Sequence, residues 1–159
     1  GGLRMTHREL CLFGAQYMKS KGTYEYGKAK YVVCELERIG ECPDVFGFGG
    51  GRYTQLIEVK VSRADFFSDK HKYWRQNPLS GLGMMRSYLC PKNVIKVEDL
   101  PLDWGLFYID DKCKIECIKR PVMQMSSHVQ EIDLICSILR RENVKSQIFS
   151  YKKYKYKTN

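Results

Sequence analysis

The sequence predicts an α/β fold, a single mixed β-sheet flanked by helices, and three observations carry that expectation. Segments with helical spacing stand before, between and after segments that alternate every second residue. Two central strands, 43–48 and 53–61, are joined by Gly49-Gly50-Gly51-Arg52, a turn that makes them antiparallel neighbours. The second of these carries Leu56, Ile57, Val59 and Val61, apolar on both faces, as a strand covered from both sides must be.

The elements follow in order. Thr6 with Glu9 forms a capping box, and Leu10, Phe13, Gly14 and Tyr17 recur at helical spacing until Lys21-Gly22, giving a helix over 6–20. From 30 to 39 Glu35 and Glu37 alternate with Cys34 and Leu36, the period of a strand. Strands 43–48 and 53–61 complete a meander. Ser62 with Asp65 opens a helix that runs to about residue 74 and ends before Asn77-Pro78. Residues 86–90 and 105–110 are short apolar strands around a proline-bounded connection, and 114–119 folds back through Asp111-Lys112. After Pro121, Ser127 and Gln130 cap a last helix on which Val129, Ile132, Cys136 and Leu139 form one apolar stripe, the face such a helix turns to a core.

At 159 residues the chain has the size of one domain, read as 1–144, followed by a basic tail rich in Tyr and Lys over 145–159. An apolar fraction of 43% is too high for a disordered chain, and no run approaches the roughly 18 apolar residues of a spanning helix. The first residues have no apolar core of a secretory signal, so a cytoplasmic chain without membrane partners is expected. The seven cysteines lack C-x-x-C spacing and read as reduced structural thiols, with no zinc site.

Lys and Arg number 27 against 18 acidic residues, a formal charge of +9 that suits a polyanionic partner. In the tail, Lys152 and Lys153 interleave with tyrosines, and Lys70, Lys72 and Trp74 do the same around His71 and Tyr73, a composition suited to phosphates and unpaired bases. A solvated helix face and a frayed terminus explain the same residues without a ligand. Arg52, Arg63 and Arg86 are further candidates for a basic rim. The three histidines lack metal-ligand spacing and read as surface or capping residues.

The chemistry concentrates at Asp44, Glu58 and Lys60. Residues two apart on a strand share a face, so Glu58 and Lys60 stand together while Val59 turns to the core and offers its backbone carbonyl. Hairpin folding carries Asp44, at the start of one strand, to the end of the next. Two carboxylates and a carbonyl are hard oxygen donors that suit Mg²⁺ (or Mn²⁺) with positions left open for water and phosphate. Such an ion neutralises charge in phosphodiester hydrolysis, and Lys60 would orient the attacking water or stabilise the anion. An ion pair on a solvated strand explains the spacing equally well.

Pro43-Asp44, Ile57-Glu58-Val59-Lys60-Val61-Ser62-Arg63-Ala64-Asp65-Phe66 and Asp69-Lys70 resemble the PD-(D/E)XK nuclease superfamily, with its restriction-endonuclease-like fold. Within it the chain is most similar to the small MmcB-like DNA repair group and its phage-type relatives. Ser87-Tyr88-Leu89-Cys90-Pro91, Leu100-Pro101 and Trp104-Gly105-Leu106-Phe107-Tyr108-Ile109-Asp110 extend the likeness over about residues 30 to 120. The resemblance implies a DNA endonuclease with Asp44 and Glu58 as metal ligands and Lys60 as catalytic lysine. The superfamily often has a further acidic residue upstream, for which Glu35 is favoured over Glu37 and Glu9. Relatives often dimerise, so a homodimer is one assembly the sequence leaves open. The competing readings are a catalytically inactive nucleic-acid-binding module of the same fold and a protein-interaction domain.

Overall fold

Thr6 caps the first helix as its spacing requires: its side chain accepts from the Glu9 N–H, and Glu9 reaches back to the Thr6 N–H. A computed structural model describes residues 4–152, so Lys153 and the rest of the tail lie outside the described residues. The elements are α1 (His7–Ser20), β1 (Tyr31–Cys34), β2 (Val45–Phe48), β3 (Gln55–Val59), α2 (Arg63–Asp69), α3 (Tyr73–Gln76), β4 (Met85–Pro91), β5 (Gly105–Ile109), β6 (Ile115–Lys119) and α4 (His128–Arg141). The strands form one six-stranded mixed sheet in sequential order. β1, β2 and β3 are antiparallel, β3, β4 and β5 parallel, and β6 returns antiparallel to β5. The expected class, an α/β chain with helices on a single mixed sheet, is what the residues build.

Strand alternation divides the interior in two. Val45, Ile57, Val59, Leu89, Phe107 and Ile109 face α1, where Leu10, Cys11 and Met18 cover them. On the opposite face Leu56, Tyr88 and Leu106 pack with Phe66 of α2 and Trp104, and Phe46 packs with Leu36, Leu82 and Leu134 of α4. Gly47 lets α1 approach: a Cβ there would stand 2.3 Å from Met18 Sδ and 2.9 Å from Ala29 Cβ. Gly47→Ala is therefore expected to cost about 1–3 kcal/mol in denaturant unfolding, as overpacking of a closed core does.

Four sequence expectations are corrected. The strand expected over 53–61 covers Gln55–Val59, and Val61 lies beyond its end and is exposed. The first strand ends at Cys34, not 39, because Glu35 takes a left-handed φ of 47° and turns its N–H to the Asp44 carbonyl. The helix expected over 62–74 breaks after Asp69, and Lys72 is extended before α3 begins; the break lets Asp69 and Arg75 meet in the interior. The stripe Val129, Ile132, Cys136, Leu139 faces outward, while α4 buries Glu131, Leu134 and Ser137. Polar satisfaction sets that face: the Glu131 carboxylate accepts from the Gly83 N–H and the Ser126 hydroxyl, tying α4 to the loop before β4. Leu134→Ala should cost about 2–5 kcal/mol, whereas Ile132→Ala should stay within about 0.5 kcal/mol in the same unfolding measurement. Among the described residues no helix is long and apolar enough to cross a membrane.

Candidate functional site

β2 and β3 pair Val45 with Ile57, so the next rung sets Asp44 opposite Glu58. Asp44 Oδ2 accepts from the Val59 N–H at 2.8 Å, and its carboxyl lies near enough to that of Glu58 to act on its charge. Val59 packs toward α1, and its carbonyl leaves the strand on the same edge as its N–H, toward Asp44. The three oxygen donors expected at this point are therefore brought together.

Glu58 is only 2% exposed. Burial, with the charge of Asp44 added, pushes its carboxyl up to about 8 despite the opposing Arg75 guanidinium, whose Nη2 lies 2.7 Å from Oε1. Arg75 is the hub of a buried network: Nη1 reaches Glu41 at 3.0 Å and Nε reaches Asp69 at 2.7 Å. Glu41 also accepts the Leu82 N–H, and burial raises its pKa against the pull of Arg75. Asp69 accepts from Lys60 Nζ at 2.8 Å, Lys72 Nζ at 2.9 Å and the Tyr88 hydroxyl at 2.6 Å. Burial alone would raise Asp69, but Arg75, Lys60 and Tyr88 hold it well below the usual carboxylate range. Trp104 stacks on Tyr88 and lies under the Arg75 guanidinium, closing the network from one side.

Four carboxyls, Glu41, Asp44, Glu58 and Asp69, meet three cations, Lys60, Lys72 and Arg75. One negative charge is left over. A proton shared by Asp44 and Glu58 removes it, and so would a cation at the same place.

Lys60 differs from its expected role. It shares a strand face with Glu58, but its ammonium is buried and bound to Asp69, and the cation paired with Glu58 is Arg75. Glu35 lies at the end of β1 and meets the site through His7. Glu9 caps α1, and Glu37 is exposed with its carbonyl accepting from Arg141.

His7, expected with the other histidines at the surface, is half-buried at the start of α1 and stands beside two of the carboxylates. As the first residue of α1 it sets Nε2 3.4 Å from Asp44 Oδ2 and Nδ1 3.3 Å from Glu35 Oε1. With Cys11 and Asp44 it forms a group whose ligand atoms all lie within 4.8 Å of one another. Burial pushes the Cys11 thiol far up, which keeps it protonated and a poor ligand. The usable donors are carboxylate and carbonyl oxygen with one imidazole nitrogen, a set that fits Mg²⁺ or Mn²⁺ better than a thiolate-bound zinc.

The expected basic rim is only partly assembled. Lys72 reaches Asp69, and Lys70 is exposed near the same helix break. Arg63 is exposed, paired with Asp99 at 2.9 Å and laid over Phe67. Trp74 is half-buried beside Tyr73, and Lys152 is exposed. Arg52 is placed wrongly by the sequence reading, because the β2–β3 turn lies at the opposite end of the hairpin from Asp44 and Glu58. Arg86 is buried, donating to the carbonyls of Gly83, Pro78 and Met125.

Divalent binding has to expel the Glu58 proton. Mn²⁺ affinity should therefore rise about tenfold per pH unit toward pH 8, with one proton released per ion in calorimetry, and level off above it, where the release vanishes. Without metal the sign reverses for stability. The folded carboxyl holds its proton above its ordinary value of 4.5, so the contribution of Glu58 to folding is full at acid pH and is lost as pH rises toward about 8. Glu58→Gln should flatten both profiles.

No family model matches the chain, and no curated protein matches it. Among solved structures, a protein of unknown function from Silicibacter pomeroyi is similar, with a TM-score of 0.59 and 20% identity over 93% of this chain and 100% of that one. The likeness is one of fold.

Proposed function

We propose that the chain is a metal-dependent deoxyribonuclease of the PD-(D/E)XK type, hydrolysing phosphodiester bonds of DNA, with repair or phage DNA processing as its setting. The observation that supports this most is the meeting of Asp44 and Glu58 at the end of the β2–β3 hairpin, with Lys60 on the Glu58 face. Asp44, Glu58 and the Val59 carbonyl would hold the ion, with His7 beside Asp44. Bound there, Mg²⁺ or Mn²⁺ would neutralise developing phosphate charge and acidify a water.

The chain's own residues do the positioning. The Val59 N–H fixes Asp44, Arg75 aims Glu58, and Asp69, kept ionised by its three cationic partners, holds the Lys60 ammonium on the same face. A charge of +9 supplies attraction for a nucleic-acid backbone whatever its sequence.

A second reading, a catalytically inactive nucleic-acid-binding module, has one observation in its favour. Lys60 and Arg75 already satisfy Asp69 and Glu58, as a purely structural ion network would. Supercoiled plasmid with Mn²⁺ or Mg²⁺ separates the two. Metal-dependent nicking that EDTA and Lys60→Ala abolish is expected; salt-sensitive binding with no nicking selects the second reading.

A further inference from the structure

A second site lies on the same side of the sheet as the ion network. Beneath α2 is a cavity of about 480 Å³, within the range of pockets that enclose small organic ligands. Its walls are Phe66, Phe67, Tyr88, Trp104 and Pro101, with Arg75 forming the side shared with Glu58. Aromatic walls alone would describe any apolar pocket, but of its polar residues Arg75 and Asp99 are already paired, with Glu58 and Arg63, and the remaining two, Gln124 and Lys70, narrow the occupant. Gln124 is one of the residues that line this cavity, and its side-chain Nε2 is buried with no hydrogen-bond partner among the described residues. An amide donor so placed costs about 1–3 kcal/mol unless an acceptor meets it. At the edge, Lys70 is exposed and forms no ion pair among the described residues, and two apolar lining residues, Phe67 and Leu102, are 42% and 86% exposed.

The required occupant is flat and aromatic, carries an acceptor on its rim, and has an anionic substituent outside the pocket. That combination describes a nucleotide. A fatty chain has no rim acceptor for Gln124, and an aromatic side chain of a peptide brings no phosphate to Lys70. We propose that this cavity receives one unpaired base of a nucleic acid whose backbone lies against Asp44 and Glu58, with Gln124 donating to the base and Lys70 meeting its phosphate. The inference rests on the nuclease reading for the path of the backbone, and it narrows the substrate to strands that offer a free base. Extruding a base costs least where pairing is already broken, so a bulged duplex is favoured over a fully paired one.

The test uses the full chain in EDTA, where cleavage is silent. Each of the four deoxynucleoside monophosphates, and deoxyribose 5-phosphate as control, is titrated into ¹⁵N-labelled protein. The Gln124 side-chain amide and the Trp104 indole signals should move with at least one nucleotide and stay still with the sugar phosphate. A duplex bearing a single-base bulge should bind about tenfold tighter than its paired counterpart. Gln124→Leu should remove most of that preference with no loss of thermal midpoint, since the amide it deletes has no partner to lose. Unmoved signals with all four nucleotides, equal shifts with the sugar phosphate, or equal affinity for both duplexes would overturn the proposal. Loss of the nuclease reading looks different: nucleotides and bulged DNA still bind, but plasmid is not nicked when Mn²⁺ is supplied.

Discussion

Glu58→Gln should lower the rate of Mn²⁺-dependent plasmid nicking by about a thousandfold while duplex DNA affinity, read by anisotropy in EDTA, changes less than about threefold. The amide keeps the shape of the side chain and can still accept from Arg75 Nη2, so the 2.7 Å contact that aims it is preserved. What disappears is the charge shared with Asp44 and the capacity to release a proton for a cation. A substitution that acted by disturbing the fold would weaken binding and stability together with rate. Nicking at the unaltered rate would remove Glu58 from the chemistry and leave the ion network as scaffolding.

The second large effect concerns stability. Arg75→Met is expected to cost about 3–5 kcal/mol in urea unfolding at pH 8, because it leaves Glu41, Glu58 and Asp69 buried without their common partner. The loss should shrink at pH 5, where Glu58, pushed up to about 8 by burial, holds its proton and no longer needs a counter-charge. A pH-independent cost would mean that the methionine fails by packing against Trp104 and not by charge. A cost below about 1 kcal/mol would show that Lys60 and Lys72 suffice for the cluster.

How much of this was legible in the sequence depends on the range of the interaction. Asp44, Glu58 and Val59 could be placed near one another because strand alternation and a glycine turn are local rules; the register came out one residue away from the one a turn over 49–52 would set, since the pairing begins at Gly47 and Gln55. The β1 boundary was missed because Glu35 fits the alternating pattern in composition but takes a left-handed φ. Arg75 sat in a run of cations and aromatics that reads equally as a solvent face; only the helix break after Asp69 turns it inward. Glu41 stood three residues before Asp44, an acidic signal beside the motif, yet its partner is 34 positions away. His7 followed a capping residue and carried no spacing that could announce Asp44 as its neighbour. For α4 the apolar stripe pointed to the wrong face, since a second set at helical spacing, Leu134 and Ile138 with Glu131, packs inward and is tied down by two hydrogen bonds to Glu131.

The carboxyl pair as a cation site is tested most directly by electron paramagnetic resonance of Mn²⁺ titrated into the metal-free chain at pH 8. One ion per chain should leave the free-Mn²⁺ signal in the wild type, with the binding reduced at least about tenfold in Asp44→Asn and in Glu58→Gln. A free-Mn²⁺ signal that rises from the first addition, or one lost equally in all three proteins, would contradict the assignment.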